Sequence, residues 1–173
     1  MAPKTRLFAL ALVIALPLDQ LTKQWIVRNF YYREVQPVIP GWLDLTHVRN
    51  PGGAFSFFAS GEPEIRLAFF IGASLVAITM LVVFFVKLPR DARLSGAALG
   101  AVLGGALGNL IDRVLYGEVI DWIDVHLTAT YTWPTFNVAD SCIVVGVIAL
   151  LLETFVEPAS DEPGDTATAE PQA

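Results

Sequence analysis

The sequence predicts a membrane α-helical protein in which four transmembrane helices carry a small extracytoplasmic sheet. The 173-residue chain is 54% hydrophobic and only 16% charged, whereas soluble domains carry about 25% charged residues. Its mean hydropathy is +0.57, and four long apolar segments alternate with polar loops. In the first outer loop, β-branched and aromatic residues are punctuated by Pro-Gly turns, a pattern typical of short strands.

The first apolar segment, about 7–27, has two interpretations. Lys4, Arg6 and the run LFALALVIALPL resemble a secretory signal peptide. However, no small-x-small cleavage site follows, and DQLTKQWIV continues a helical pattern. We therefore predict a retained span. Within it, Asp19 and Lys23 have the four-residue spacing of an ion pair on one helix face, and we expect this pair to be structural.

The other spans are predicted at about 67–86, 94–113 and 136–152, each close to the 20 or so residues that a crossing needs. Residues 67–86 contain no charged side chain. The span 94–113 carries a stripe of glycines at every fourth position, which lets neighbouring backbones approach closely. These glycines are Gly96, Gly100, Gly104 and Gly108. This span should therefore be the tightly packed central helix.

Four spans place both termini on the same side of the membrane. The short loop 87–93 contains three basic residues, and basic residues mark the cytoplasmic side. Arginines on the other side weaken this assignment without reversing it. Both termini should be cytoplasmic, and the loops 28–66 and 114–135 should face outward. The acidic segment 157–173 is rich in Pro and Ala and is expected to be a disordered cytoplasmic tail.

A set of polar residues should meet at one depth, just below the outer membrane surface. Three of them share a helix face at the outer end of the third span. Two more are three residues apart where the fourth span begins, and two belong to the outer loops. In chain order they are Asn50, Asn109, Asp112, Arg113, Asp121, Asn137 and Asp140.

Among these residues, Asp121 and Asp140 are the candidate pair of catalytic acids. A carboxylate near hydrocarbon is costly and therefore suggests a function. Asp140 has no Lys or Arg within ten residues, whereas Asp112 is adjacent to Arg113 and is assigned a positioning role. Two neighbouring carboxylates share one proton and so supply a base and an acid side by side. Water can hydrolyse an amide with such a pair and no metal.

The residues alone leave three functions open. The two acids could form a catalytic dyad, line a pathway in a small proton- or ion-coupled membrane transporter, or belong to a purely structural network. A pathway needs polar groups along the whole depth of the helices, whereas polar residues are concentrated in the outer third of the predicted spans. This distribution favours a one-sided active site.

Other polar residues receive no catalytic role. Glu118 and Asp124, in an outer loop, should be solvated. His47 and His126 fall in polar loops without an HExxH motif, which makes a zinc site improbable. Cys142 lies in an apolar run and is expected to be a small buried hydrophobic residue. Nucleic-acid binding is disfavoured because the sequence has no basic patch.

Four motifs, DQLTK, RNPGGAFS, GNLIDRVLYGEVIDW and FNVADS, occur in this order along the chain. Through them, residues 7–152 resemble the lipoprotein signal peptidases (signal peptidase II). The resemblance implies an intramembrane aspartic endopeptidase of the bacterial cytoplasmic (inner) membrane, with four transmembrane helices and a small extracytoplasmic β-cradle. Such enzymes remove the signal peptide from diacylglyceryl-modified prolipoproteins by cutting before the lipidated cysteine. The membrane-embedded peptidase domain would comprise residues 1–156.

Carried over residue by residue, the resemblance makes Asp121 and Asp140 the catalytic dyad. It makes Asp19 and Lys23 the structural pair of the first helix. The residues that bind substrate or brace the site are then Asn50, Asn109, Asp112, Arg113 and Asn137. The implied partners are a diacylglyceryl-prolipoprotein substrate and membrane lipid, with neither metal nor cofactor. A monomer suffices, because all these groups lie on one chain.

Two motifs depart from the usual family pattern. In RNPGGAF, Pro51 and Gly53 stand in a motif that is usually closer to NTGAAF. Pro51 stiffens this turn and Gly53 loosens it. Trp122 stands where a smaller aromatic residue is common, which would narrow the edge of the site.

Overall fold

The computed structural model of the chain describes residues 1–52, 62–128 and 130–156. Four helices and a three-stranded sheet confirm the predicted fold class. The predictions for the tail 157–173 and for the part of RNPGGAFS from Gly53 onward lie outside the described residues. In chain order the elements are α1 (Pro3–Asn29), β1 (Val35–Ile39), β2 (Leu43–Asn50), α2 (Pro63–Lys87), α3 (Arg93–Tyr116), β3 (Val119–Val125) and α4 (Val138–Val156).

Each of the four helices is long and apolar enough to cross a membrane. Helices α1, α2 and α3 extend beyond both ends of their apolar segments, because a helix can continue into the polar interface once it is nucleated. Helix α4 differs: it begins at Val138 rather than at residue 136. Phe136 instead pairs with Ile123 of β3, so the segment before α4 is tied to the sheet.

Helix α3 is the central helix, as its glycines predict. Twelve of its residues are buried. A Cβ atom added to Gly96 would lie 2.7 Å from the backbone oxygen of Lys4, and one added to Gly100 would collide with the backbone of Phe8. Gly105 makes an equally close approach to Ala139 of α4. The small residues of α3 therefore let α1 and α4 pack directly against its backbone.

Helix α2 is peripheral. None of its residues, all of which the structure describes, is buried. Its C-terminal end is held by Lys4 of α1, which donates hydrogen bonds to the carbonyl oxygens of Leu88 (2.6 Å) and Phe85 (3.0 Å). A cation at a helix C-terminus also interacts favourably with the helix dipole. Lys4 thus joins α1 to α2 as well as carrying a positive charge.

The sheet is antiparallel, in the order β1-β2-β3, and the exposed β1 forms one edge. Asn50 lies opposite Val119, and Val48 lies opposite Asp121. A bulge in β2 between Leu45 and Val48 shifts the register. This pairing brings the end of β2, with Asn50, beside Asp121 of β3.

A sharp turn at Gly117 connects α3 directly to β3. Gly117 adopts φ 76°, a left-handed conformation that glycine accepts readily and that commonly ends a helix. Strand β3 begins two residues later, at Val119. The turn therefore keeps Asp121 close to the C-terminal end of α3.

Candidate active site

Asp121 and Asp140 meet in one hydrogen-bonded cluster centred on Asn137. The side-chain amide of Asn137 donates to Asp121 Oδ1 (2.7 Å), and its backbone N–H donates to Asp140 Oδ2 (3.2 Å). In return, Asn137 Oδ1 accepts a hydrogen bond from the backbone N–H of Asp140 (2.9 Å). This reciprocal pairing between the N-cap position and its third neighbour has the form of a capping box. It fixes both the start of α4 and the Asp140 carboxylate.

Two further asparagines complete the polar environment of the acids. Asn109 of α3 donates from Nδ2 to Asp140 Oδ1 (2.8 Å), and Asn50 of β2 donates from Nδ2 to Asp121 Oδ2 (3.0 Å). Asn50 Oδ1 also accepts from the backbone N–H of Gly52 (3.0 Å), which closes the turn after β2. Each carboxylate therefore receives donors from two different parts of the fold, an arrangement that restricts its rotation.

The two acids differ in burial. Asp121 is 3% exposed, whereas Asp140 is half-buried. Burial, and to a lesser extent the negative charge of Asp140, raise the pKa of Asp121 to about 7. Hydrogen bonds from Asn50 and Asn137 oppose this rise. Near neutral pH, Asp121 can therefore hold or release a proton.

Arg113 connects the end of α3 to the turn after β2. Its guanidinium donates to the carbonyl oxygens of Gly52 (3.3 Å) and Asn109 (3.3 Å). It also lies 5.1 Å from the ring centre of Phe70 in α2, a cation–π distance. Arg113 thus lines the site and holds neighbouring backbone segments in place.

The ion-pair partner of Asp112 comes from another helix. Asp112 is paired with Lys23 of α1 (2.9 Å), and not with its chain neighbour Arg113. Successive residues on a helix point in different directions, so adjacency along the chain does not bring their side chains together. The predicted pair of Asp19 with Lys23 is present at 2.9 Å. Asp112 also accepts the backbone N–H of Ile120 (3.1 Å).

Gln20 is a further bracing residue, in addition to those predicted from the sequence. Its side-chain amide donates to Asp19 (3.2 Å), to Asp112 (3.1 Å) and to the backbone oxygen of Gly108 (3.1 Å). The only sequence signal was its position in DQLTK between the two charged residues.

A cavity of about 740 Å³ opens beside the two acids, between the sheet, α3 and α4. Its polar wall includes Asp121, Asp140 and Arg113, and the rest of its lining is mostly apolar. The apolar lining comprises Val48, Pro51, Gly52, Val119, Trp133, Pro134, Phe136, Ile143, Val144 and Val145. The cavity thus has room for an extended peptide and an apolar group next to the carboxylates.

A second polar cluster, on the sheet, corrects the expectation that Asp124 is solvated in a loop. Asp124 lies in β3 directly opposite Asp44 of β2, is half-buried, and has one oxygen without a hydrogen-bond partner. His126 Nε2 donates to Asp44 Oδ2 at 2.9 Å. The ligand atoms of these three residues lie within 4.8 Å of one another, so they could hold a metal ion. His47 is also not in a loop; it is buried in β2.

The fold and the site define a class of protein: a multi-pass helical membrane protein whose polar residues converge on two carboxylates beside an apolar cavity. The chain belongs to the signal peptidase II family. The family profile, described as "Signal peptidase (SPase) II", matches residues 10–156. This confirms the resemblance seen in the four sequence motifs.

Named relatives agree with this assignment. The chain is 44% identical over 153 residues to the lipoprotein signal peptidase of Geobacter metallireducens, and the aligned region covers 88% of this chain and 93% of the relative. It is 48% identical over 157 residues to that of Geobacter sulfurreducens, covering 91% and 96%. A solved structure described as a bacterial membrane enzyme superposes with a TM-score of 0.79 at 32% identity, covering 91% of this chain and 93% of its own. Membership of the family makes the chain a signal peptidase, a protease of lipoprotein processing.

Proposed function

We propose that the chain cleaves diacylglyceryl-modified prolipoproteins immediately before the lipidated cysteine, with Asp121 and Asp140 as an aspartic dyad. The single observation that carries this proposal is the bonding of Asn137 to both carboxylates at the wall of the cavity. Two acids held in one cluster can share a proton. The alternative of a small proton- or ion-coupled transporter has no comparable support, and family membership favours the peptidase.

The different environments of the acids suggest their roles. Asp121 is buried and begins the reaction protonated, as its pKa of about 7 permits. Asp140 is half-buried, accepts hydrogen bonds from Asn109 and Asn137, and begins ionised as the general base. Asp140 removes a proton from water, and the resulting hydroxide attacks the carbonyl carbon that precedes the lipidated cysteine. Asp121 protonates the carbonyl oxygen as it becomes the hydroxyl of a geminal diol.

Collapse of this diol completes the reaction. Asp140 returns its proton to the cysteine nitrogen as the C–N bond breaks, and Asp121 takes a proton from one diol hydroxyl. The products are the carboxyl end of the signal peptide and the free amino group of the lipidated cysteine. Both acids regain their starting protonation states, so one water is consumed and no metal takes part.

The cavity suits this substrate. Its polar wall would bind the peptide backbone, with Arg113 and Asn50 as donors and acceptors at the turn after β2. The diacylglyceryl chains would lie along the apolar residues 143–145 of α4, a helix long and apolar enough to cross a membrane. We also propose that both termini are cytoplasmic in the bacterial inner membrane, that the site lies near the outer face, and that a monomer is active.

Replacing either acid tests the dyad. Asp121→Asn and Asp140→Asn should each abolish cleavage, because an amide neither takes up nor donates the shared proton. Purified protein is incubated with a diacylglyceryl-modified prolipoprotein, and release of the signal peptide is followed by gel electrophoresis and mass spectrometry. Asp124→Asn is the matched control in the same strand and should retain cleavage.

Each result has a defined consequence. Inactivity of the unmodified protein on the lipidated substrate would reject the proposed function. Near-native turnover by either Asn variant would reject the dyad while leaving the peptidase assignment intact. Mass spectrometry of the product also tests the cleavage position, which should leave the lipidated cysteine as the first residue.

A further inference from the structure

Lys23 is a buried cation with every donor occupied. Its side chain is fully buried, and Nζ contacts three acceptors: Asp19 Oδ2 (2.9 Å), Asp112 Oδ2 (2.9 Å) and Asn109 Oδ1 (2.8 Å). An ammonium group has three N–H bonds and no lone pair. Its hydrogen-bonding capacity is therefore used up by residues that surround the proposed dyad, so Lys23 does not contact the cavity's contents directly.

The two carboxylates bound to Lys23 each hold the backbone next to one of the proposed catalytic acids. Asp19 Oδ1 accepts the N–H of Ala139 (2.9 Å), the residue before Asp140. Asp112 Oδ2 accepts the N–H of Ile120 (3.1 Å), the residue before Asp121. The same cation thus connects to the backbone of α4 through one carboxylate and to that of β3 through the other.

The third contact of Lys23 helps to orient the Asn109 amide, whose oxygen accepts from Lys23 Nζ (2.8 Å) and, at a longer distance, from Asn137 Nδ2 (3.3 Å). Because Lys23 can only donate, the oxygen of the Asn109 amide must face it. The Asn109 NH₂ group is then directed toward Asp140, to which it donates at 2.8 Å. Without Lys23, the longer bond from Asn137 holds this oxygen less firmly, and the amide could turn and present its oxygen to the Asp140 carboxylate, which would repel it.

We propose that Lys23 is a positioning residue that sets the relative placement of Asp121 and Asp140 through Asp19, Asp112 and Asn109. The inference rests on the proposed function of the dyad. It assigns to the Asp19–Lys23 pair a role beyond the structural one expected from its spacing in α1. Residues that hold catalytic groups in register act chiefly on turnover, because small displacements of reacting groups cost large factors in rate.

The test must separate positioning from simple folding. Removing Lys23 alone leaves two buried carboxylates without a cation, which can prevent folding. The double variant Lys23→Met/Asp19→Asn reduces this problem, because it keeps the net charge of the cluster at −1, the sum of one cation and two acids in the native cluster, and Asp112 keeps the hydrogen bonds from Gln20 and Ile120. The side-chain amide introduced at position 19 can still accept the Ala139 N–H through its oxygen, and its NH₂ group can face Asp112. The variant thus loses the Lys23 donor to Asn109 and to Asp112, while position 19 keeps its bond to the backbone of α4.

The full-length double variant is purified and compared with the native protein by thermal melting and by steady-state cleavage of a diacylglyceryl-modified prolipoprotein. We expect a cooperative melt, kcat lowered by about tenfold to a hundredfold, and KM changed by less than about threefold. The matched control is Gln24→Met, which removes another hydrogen bond between α1 and α3, the one to Tyr116 (2.8 Å), away from the acids. Its kcat should equal that of the native protein.

Three results would overturn the proposal. These are a folded double variant with native kcat, a rise of KM with unchanged kcat, or an equal loss of kcat in Gln24→Met. Each result is interpreted by comparison with two reference measurements. The native protein must cleave the substrate, and the Asp121→Asn and Asp140→Asn variants must not. Failure of those reference measurements would reject the proposed function itself, and with it the role of Lys23.

Discussion

Neutral amides donate the side-chain hydrogen bonds to the two proposed catalytic acids. Asn50 and Asn137 donate to Asp121, and Asn109 donates to Asp140. A cation at one of these positions would hold its carboxylate ionised and lower its pKa strongly. An amide orients the carboxylate and still allows it to take up a proton. The fully buried cation Lys23 is hydrogen-bonded to Asn109, and the Asn109 amide in turn donates to Asp140.

The raised pKa of Asp121 predicts how cleavage depends on pH. Below about 7 the carboxyl is protonated and can donate to the substrate carbonyl; above about 7 it loses this proton. The value of kcat/KM should therefore fall by up to tenfold per pH unit as pH rises above about 7. The kcat/KM for cleavage of a diacylglyceryl-modified prolipoprotein is measured between about pH 5 and 9. The Asp124→Asn variant is the control. A profile that stays level across the alkaline range would show that Asp121 is not the acid.

At the residue scale, helical spacing identified most of the site, and tertiary contacts supplied the rest. Spacing of three or four residues on a helix, or at its start, predicts which side chains share one face. It groups Asn109 with Arg113 and Asn137 with Asp140. The partner of Asp112 could not be inferred in this way. Lys23 is 89 positions away, since 112 minus 23 is 89, and only the packing of α1 on α3 brings the two together.

At the element scale, the glycine repeat of α3 determines how closely α1 can approach. The backbone of α1 passes so near Gly96 and Gly100 that any side chain at these positions would displace it. Asp19 itself packs against Gly108, about two turns further along α3. The same stripe that permits close packing therefore also sets the depth at which the acids of α1 and α3 meet.

A single added methyl group tests this packing. Gly100→Ala should lower the free energy of unfolding by about 1–3 kcal/mol, because the new Cβ would overlap the backbone of Phe8. Gly72→Ala is the matched control in α2, where nothing lies within 4 Å of an added Cβ. That variant should be neutral or stabilising by up to about 1 kcal/mol, since Ala favours helices over Gly. Thermal melting in detergent compares the two; equal melting temperatures would contradict close packing at Gly100.

Helices could be predicted from the sequence more completely than strands. Long apolar runs and the glycine repeat predicted the four helices and the central place of α3, because both properties are local. Turn residues indicated a sheet but not its register. The bulge between Leu45 and Val48 and the pairing of Phe136 with Ile123 depend on contacts between distant segments.

At the scale of the whole molecule, the polar sheet and the charged loop between α2 and α3 lie at opposite ends of the helices. The sheet follows α1 and α3, whereas residues 88–92 connect the other end of α2 to α3. This arrangement makes the orientation in the membrane directly testable. The basic residues around that loop favour the cytoplasm for it and the outer side for the sheet.

Labelling of single cysteines should reveal this orientation. In a Cys142→Ala background, Gln36→Cys places an exposed thiol in β1 and Asp91→Cys places one in the α2–α3 loop. A membrane-impermeant maleimide added to intact spheroplasts should label the first and not the second. Permeabilisation should make the second reactive as well. The opposite pattern would invert the proposed topology.

The cavity described beside the two acids has an apolar side formed by α4. Val144 and Val145 are 56% and 65% exposed within a helix that can span the bilayer, so this side adjoins hydrocarbon rather than water. A substrate anchored by acyl chains would reach the acids by lateral diffusion within the leaflet. The relevant concentration is then the mole fraction of substrate in the membrane or micelle. Diluting the substrate with additional lipid should slow the enzyme even when the molarity in the test tube is unchanged.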